Sequence, residues 1–435
     1  MELGTLEPGT LHVIRFGSQS NFFCKPFFAV PLSYSAGRVS SFVIRAIVLI
    51  AFLSLSSISH SQTDSCHLRI SLLTCSPGEE LYSAWGHTAI RVTDSNRGSD
   101  IIYNYGTFDD TDPDFYLKFT KGIMYYALSA YPYSDFLQEY QYQNRGIIEQ
   151  QLKLSCAEKA KIYSSLQVNN TNENRFYYYY FHTDNCTTRA QDMIAKNTSG
   201  PVSYKNILPH PSVTYRNLIH YYLDISNQYW SKFGIDLFLG MNLDKKPTNE
   251  QAMFLPDYLK KGFDSAFVNG QPLVSQSQVV LEWPDNGIHK GSWFSPFIAF
   301  TLLLIIIGAV SVSKIRSKQK VVEVFDGTFF FTIGTLGLLM VVLWLIRVDS
   351  VCRNNLNILW ALPTHVVAAF FVKSNRKWVK TYFQVVFWIS IVLALTWFFV
   401  PQQINNAVGP LILLIIIRSY YHHTKNLHDR KEVDF

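Results

Sequence analysis

The chain has 435 residues, of which 16% are charged and 15% aromatic, with six cysteines and a formal net charge of +6. That length admits two or three domains, and so few cysteines exclude a disulfide-built scaffold. Much of the basic excess sits beside apolar runs in the last third, so it marks membrane topology and gives no support to nucleic-acid binding.

Residues 1–61 read as a leader. "IRAIVLIAFLSLSSISHSQ" joins a basic start to an apolar stretch and small residues at Ser59 and Ser61, the pattern of a signal peptide cleaved before Gln62. The stretch before it lacks periodicity and points to a start codon assigned too far upstream, with translation beginning near Val43. A retained anchor helix is the alternative.

Residues 62–290 read as a water-soluble α+β domain, a small antiparallel sheet packed by helices. "HLRISLLTC" is a strand, and "HTAIRVTD" and "IIYNYGTFD" form a hairpin around "DSNRGSD". "DPDFYLKFTKG" and "PYSDFLQEYQYQ" are helical and "GIIEQQLKL" is a strand. Ser155 caps a helix over "CAEKAKIYSSLQVNN". An aromatic strand, "RFYYYYF", runs into a helix beginning near Cys186; residues 214–240 are helical, and "QPLVSQSQVVLEWPDNG" is extended and leads to the membrane. Structural disulfides are allowed among Cys66, Cys75 and Cys156, whereas Cys24 precedes the signal stretch.

Residues 291–435 hold five apolar runs, Trp293–Val312, Val324–Ile346, Asn357–Val372, Tyr382–Val400 and Ile404–Ile417. All are read as spans, although the third and fifth are near the lower limit for crossing about 30 Å of hydrocarbon. Lys314, Arg316, Lys318 and Lys320 follow the first span, Lys373, Arg376, Lys377 and Lys380 the third, and Arg418, Lys425, Arg430 and Lys431 the fifth. Only Arg347 and Arg353 occupy the other loops. This asymmetry puts the soluble domain outside the cytoplasm, on a multi-pass protein of the cytoplasmic membrane.

Two short stretches carry chemistry. In "TDNCTTRAQD", Asp184 or Asn185 can cap a helix that starts at Cys186, where the helix dipole and Arg189 favour a thiolate. In "AWGHTAIRVTD", His87, Ala89 and Arg91 share one strand face, with His87 suited to act as a base and Arg91 to meet a phosphate. Taken singly, each pattern is more often structural. Cys75 is the competing thiol, but it ends a strand with no helix behind it. His182 reads as core, and His365 as a buried partner within the helices. Asn354, Asn355, Asn357, Gln402, Gln403 and Asn405 crowd the outer loops, as helix caps or as head-group contacts. No metal spacing, phosphate loop or nucleotide motif is present, so no cofactor is expected.

A histidine on an early strand, followed about a hundred residues later by "NC" at a helix start, resembles the circularly permuted papain-like fold of the lecithin:retinol acyltransferase group. A closer resemblance runs through "LLTCSPGEELYSAWGHTAIRV", "YNYGTFD", "YYYYFHTDNCTTRAQD", "GIDLFLG", "FLPDYL", "NNLNILWALPTH" and "PQQIN". These motifs, in this order, resemble the Lnb family, the lipoprotein N-acylating membrane proteins of Bacteroidota. The resemblance implies that Cys186 and His87 are the catalytic pair. In permuted relatives a third group on the next strand orients the histidine, which implies Asn104, with Asp109 second. Asp184, Asn185, Arg91 and Arg189 are the candidate substrate contacts.

The resulting expectation is an acyltransferase with a phospholipid donor, a Cys186 thioester and a diacylated lipoprotein acceptor. Two rivals stay open. A Cys-His hydrolase, acting on peptidoglycan or on phospholipid, needs no acceptor. A membrane assembly or binding protein would use the same motifs structurally.

Overall fold

The computed structural model describes residues 66–108, 113–282, 292–312 and 316–431. The expected leader, Cys24, Asp109 and the expected boundary near residue 290 lie outside the described residues.

Strands β1 (Leu68–Cys75) and β2 (His87–Asp94) pair antiparallel along their full length, Leu68 opposite Asp94 and Cys75 opposite His87. β3 (Ser99–Thr107) completes the expected hairpin. Alternation along each strand feeds two cores. Ile70, Leu72, Ile90 and Tyr103 face one side, and Leu73, Cys75, Ala89 and Ile102 face the other.

Helix α1 (Phe115–Lys121) leads to β4 (Met124–Pro132), and α2 (Tyr133–Tyr142) to β5 (Ile147–Leu152). Helix α3 (Cys156–Asn169) starts where expected, because the Ser155 hydroxyl accepts from the Glu158 amide and Glu158 returns a bond to the Ser155 amide. Then come β6 (Phe176–Tyr179), α4 (Cys186–Ala195) and β7 (Val202–Ser203). The helical stretch expected over 214–240 is two helices, α5 (Tyr215–Ile225) and α6 (Tyr229–Phe238), broken where Asn227 takes a φ of 53°. Helices α7 (Asn249–Ala252) and α8 (Pro256–Asp264) precede β8 (Phe267–Val268) and β9 (Gln271–Pro272), which pair with β7 in a three-stranded sheet.

The extended segment expected to lead into the membrane is instead a working strand. β10 (Val274–Leu281) pairs with β5, and the main sheet has seven antiparallel strands in the order β10-β5-β1-β2-β3-β4-β6. It is larger than the small sheet expected, because β10 joins β5 from more than a hundred residues along the chain.

The C-terminal region is helical: α9 (Pro296–Ser311), α10 (Arg316–Ile346), α11 (His365–Ala369), α12 (Lys377–Leu395) and α13 (Val408–Lys431). Among the described residues two stretches are long and apolar enough to cross a membrane, Lys320–Ile346 and Lys377–Leu395. The expected third span, Asn357–Val372, is not a continuous helix. It is a 3-10 turn at Leu356–Leu359 followed by the single turn of α11. Pro363 between them has no amide hydrogen to continue a helix. This broken segment leans on a glycine face of α10; a Cβ on Gly337 would lie 1.8 Å from the Ala361 carbonyl oxygen.

The outer-loop amides join this region to the preceding domain. Asn355 Nδ2 donates to the Leu237 carbonyl at 2.7 Å, Asn357 Nδ2 to that of Asp236 at 2.8 Å, and Gln402 Nε2 to that of Leu239 at 3.1 Å. They close the open C-terminal end of α6, so capping is the role the geometry gives them. Asn405 Nδ2 reaches Asp236 Oδ2 at 2.8 Å, and Arg216 and His220 bond the other oxygen of that buried carboxylate.

Candidate active site

Helix α4 begins at Cys186 because Asn185 caps it. Asn185 Oδ1 accepts from the Thr187 and Thr188 amides at 2.9 Å each, and its Nδ2 donates to the Phe181 and Phe254 carbonyls. Both ends of the Asn185 side chain are therefore occupied by the fold, so the structure makes it a cap and leaves it no substrate contact. Asp184 is not the cap; it binds Arg189 bidentately, at 2.6 and 2.8 Å. Thr187 and Thr88 link their hydroxyls at 3.2 Å, which pins the start of α4 onto β2.

His87 opens β2 and reaches across to β3. Its Nε2 lies 2.6 Å from Asn104 Oδ1, and Asn104 Nδ2 donates to the Tyr131 hydroxyl at 3.1 Å. With Nε2 turned to Asn104, Nδ1 of His87 is left for the thiol. Burial by itself would depress the His87 pKa. The charge of Cys186 and hydrogen bonds with Cys186 and Asn104 outweigh it and raise the pKa above its ordinary value. Burial likewise pushes the Cys186 thiol up, but the His87 charge, bonds from His87 and Thr187, and the Thr88 amide bring it down to about 7. The two opposite shifts describe one thiolate–imidazolium pair.

The glycine of "YNYGTFD" lets β3 turn beside this pair, in a backbone conformation that other residues rarely adopt. Gly106 sits at an irregularity in the β3–β4 pairing with φ at 93°; a Cβ there would lie 3.5 Å from Cys186 Cβ and 3.6 Å from the Tyr179 ring. Tyr126, Tyr177 and Tyr179 surround the thiol, and burial, with Cys186's charge adding, raises their pKa values. They keep their phenolic protons and can donate hydrogen bonds. These tyrosines and Tyr131 were visible in the sequence only as an aromatic-rich run, which does not separate site residues from core.

The other candidates divide. Cys75 pairs with His87 across the β1–β2 ladder, but its thiol is packed among Leu73, Ala89 and Phe136, where burial pushes it up to about 12 and keeps it inert. Arg91 shares the His87 face but is not open to a phosphate. Its guanidinium binds Asp100 at 2.8 and 2.6 Å and Glu149 at 2.9 Å, and lies over the Tyr133 ring. Arg189 stacks on Tyr177 and keeps 30% of its side chain exposed, so of the two arginines it is the accessible one. His182 packs edge-on against Tyr215. His365, within the helical region, bonds the Tyr382 hydroxyl at 2.7 Å. Cys75, Cys186 and Cys352 are free thiols, so Cys75 takes no part in a disulfide.

Compared with protein-family models, residues 56–221 match the Lnb N-terminal periplasmic domain and residues 288–430 the Lnb transmembrane domain. No match was found among curated proteins or among solved structures.

Proposed function

The chain belongs to the Lnb family, a periplasmic domain followed by a transmembrane domain, and from that premise we propose that it is a lipoprotein N-acyltransferase working by a Cys186 thioester. The observation that carries the reading is the coupling of Cys186, at the head of α4, to His87 with Asn104 behind it. The order histidine, asparagine, cysteine along the chain is that of the permuted papain-like arrangement. In this reading 62–290 is the catalytic domain and 291–435 a multi-pass domain of the cytoplasmic membrane.

The Cys186 thiolate attacks an ester carbonyl of a phospholipid. The tetrahedral oxyanion is held by the Cys186 amide and by a phenolic hydroxyl, with Tyr179 the nearest candidate; the Thr187 and Thr188 amides are already bonded to Asn185. Collapse breaks the ester C–O bond, the His87 imidazolium gives its proton to the departing oxygen, and a lysophospholipid leaves. The α-amine of a diacylglyceryl-cysteine then attacks the thioester and forms the N–C bond. His87 takes the ammonium proton and the thiolate is regenerated. The sum converts ester plus amine into amide plus alcohol, with no cofactor in any step. Cys186 is only 7% exposed, a setting that limits bulk water at the thioester.

Intact-mass spectrometry of the full chain after exposure to phospholipid tests this. We expect a hydroxylamine-labile acyl adduct that is absent from Cys186→Ser and His87→Ala and is discharged by a diacyl lipopeptide. Lipopeptide acylation without any adduct on Cys186 would overturn the mechanism. An adduct that water discharges as fast as lipopeptide does would make the protein a hydrolase.

A further inference from the structure

Helix α1 is an unusual place to expose apolar side chains. Leu117 and Phe119 are 53% and 55% exposed on a helix of seven residues. Its position explains them. The Val348 amide donates to the Lys121 carbonyl at 3.0 Å, and Arg347 Nη1 donates to the Phe119 carbonyl at 2.8 Å. Arg347 and Val348 directly follow α10, whose apolar stretch ends at Ile346. Asp349 holds the Arg347 guanidinium in place. The last turn of α1 is thus fixed to the end of α10 opposite its basic start, the end that the positive-inside asymmetry puts outside the cytoplasm. Trp293, just before α9, and Phe398 and Phe399, just after α12, are exposed aromatics at the outer ends of those helices, the residue type that favours a membrane interface.

From α1 an unbroken row of rings leads to the nucleophile. Phe115 stacks on Phe108 at 5.9 Å between centroids, Phe108 on Tyr126 at 5.0 Å, and Tyr126 meets Tyr179 at 4.4 Å. The row ends beside Gly106, which lies against both Tyr179 and Cys186. Tyr82, exposed, closes edge-on against Phe108 from the side. A lipid chain in contact with such a row stays out of water from hydrocarbon to thiol, and Lys118 and Lys121 on α1 bring positive charge to the depth of lipid phosphates.

We propose that α1 is seated in the outer leaflet through Leu117 and Phe119, and that the row Phe115–Phe108–Tyr126–Tyr179 is the path by which a phospholipid acyl chain reaches Cys186. The proposal rests on the acyltransferase reading for its purpose but not for its placement of α1.

Two measurements on the full chain in vesicles of phosphatidylethanolamine and phosphatidylglycerol separate them. Phe119→Trp adds a fluorophore at the surface of α1, and lipids brominated along their chains quench only indole that enters hydrocarbon. We expect the fluorescence gained over wild type to be strongly quenched; gained fluorescence that brominated lipid leaves intact overturns the seating of α1, whatever the enzyme does. In the second, Leu117→Asp/Phe119→Asp should acylate Cys186 from vesicle phospholipid at least tenfold more slowly. Its reaction with a water-soluble butyrate ester should match wild type. Equal rates from vesicles, or an equal loss with both donors, overturns the route. If wild-type Cys186 is acylated by neither donor, the acyltransferase reading fails on its own, while the quenching result still stands.

Discussion

Two histidines in this molecule, His87 half-buried and His220 buried, look alike at first contact and differ in what balances them. His87 bonds a side-chain oxygen through Nε2 at 2.6 Å, and His220 does the same at 2.7 Å. Behind His220 the acceptor is Asp236, which also binds Arg216 and Asn405, and Arg216 in turn binds Asp244, so the joint is closed by bonds within the fold. Behind His87 the acceptor is the neutral Asn104, and the charge that balances an imidazolium is the Cys186 thiolate. The joint between α5, α6 and the outer loops is the more completely bonded of the two, and it is the structural one. On the proposed reading, the chemistry resides where the histidine's counter-ion is itself reactive.

The largest expected effects would break this contrast outright. Cys186→Ala should lower acyl transfer by on the order of a thousandfold or more, while thermal unfolding in detergent moves little. Asp236→Ala should do the reverse. It leaves His220 Nε2 and Arg216 Nη1 buried without their acceptor, while Arg216 keeps Asp244, so a loss of about 1–3 kcal/mol is expected in the unfolding free energy. Protein that remains folded should acylate Cys186 at the wild-type rate. If Asp236→Ala instead slowed acylation with stability intact, the two clusters would be one functional unit and the contrast would be lost.

A smaller effect sharpens the role of Asn104. The bond from Asn104 helps raise His87, and the imidazolium in turn holds Cys186 down at about 7. Asn104→Ala makes His87 less basic, so the thiolate loses part of its stabilisation and Cys186 rises toward its ordinary value. The acid limb of Cys186 acylation should then shift to higher pH, with a loss on the order of tenfold at pH 6 that shrinks towards pH 9. A uniform loss at every pH would mean that Asn104 serves packing alone.

How far the sequence reveals this arrangement depends on how local the cause is. The cap at Asn185, the capping box at Ser155 and the β2–β3 hairpin are set by residues within a few positions of one another, and "DNC" and "GHTAIR" show them directly. The joint was invisible for the opposite reason: Asn355, Asn357, Gln402 and Asn405 meet α6 across more than a hundred residues, and nothing near them names the partner. Long range also explains β10, whose polar alternation looks like a linker until β5 is set beside it. Arg91 misleads in another way. Strand periodicity places it on the His87 face, but its neutralisation by Glu149 comes from β5, two strands away in the sheet.

The smallest prediction concerns the contact that holds helix to strand. Thr88 and Thr187 are both fully buried, and their hydroxyls satisfy each other at 3.2 Å. Thr187→Val keeps the shape but leaves the Thr88 hydroxyl buried without that partner, at an expected cost of about 1–3 kcal/mol. It also removes one of the bonds that lower Cys186, so the acid limb should move up slightly and the rate fall only a few-fold. Adding Thr88→Val removes the orphaned hydroxyl and should restore most of the stability without restoring the pH profile. That separation, stability recovered and thiol acidity not, is what a bond with two distinct jobs requires. If the double variant regained both, Thr187 would act on the nucleophile only by positioning α4.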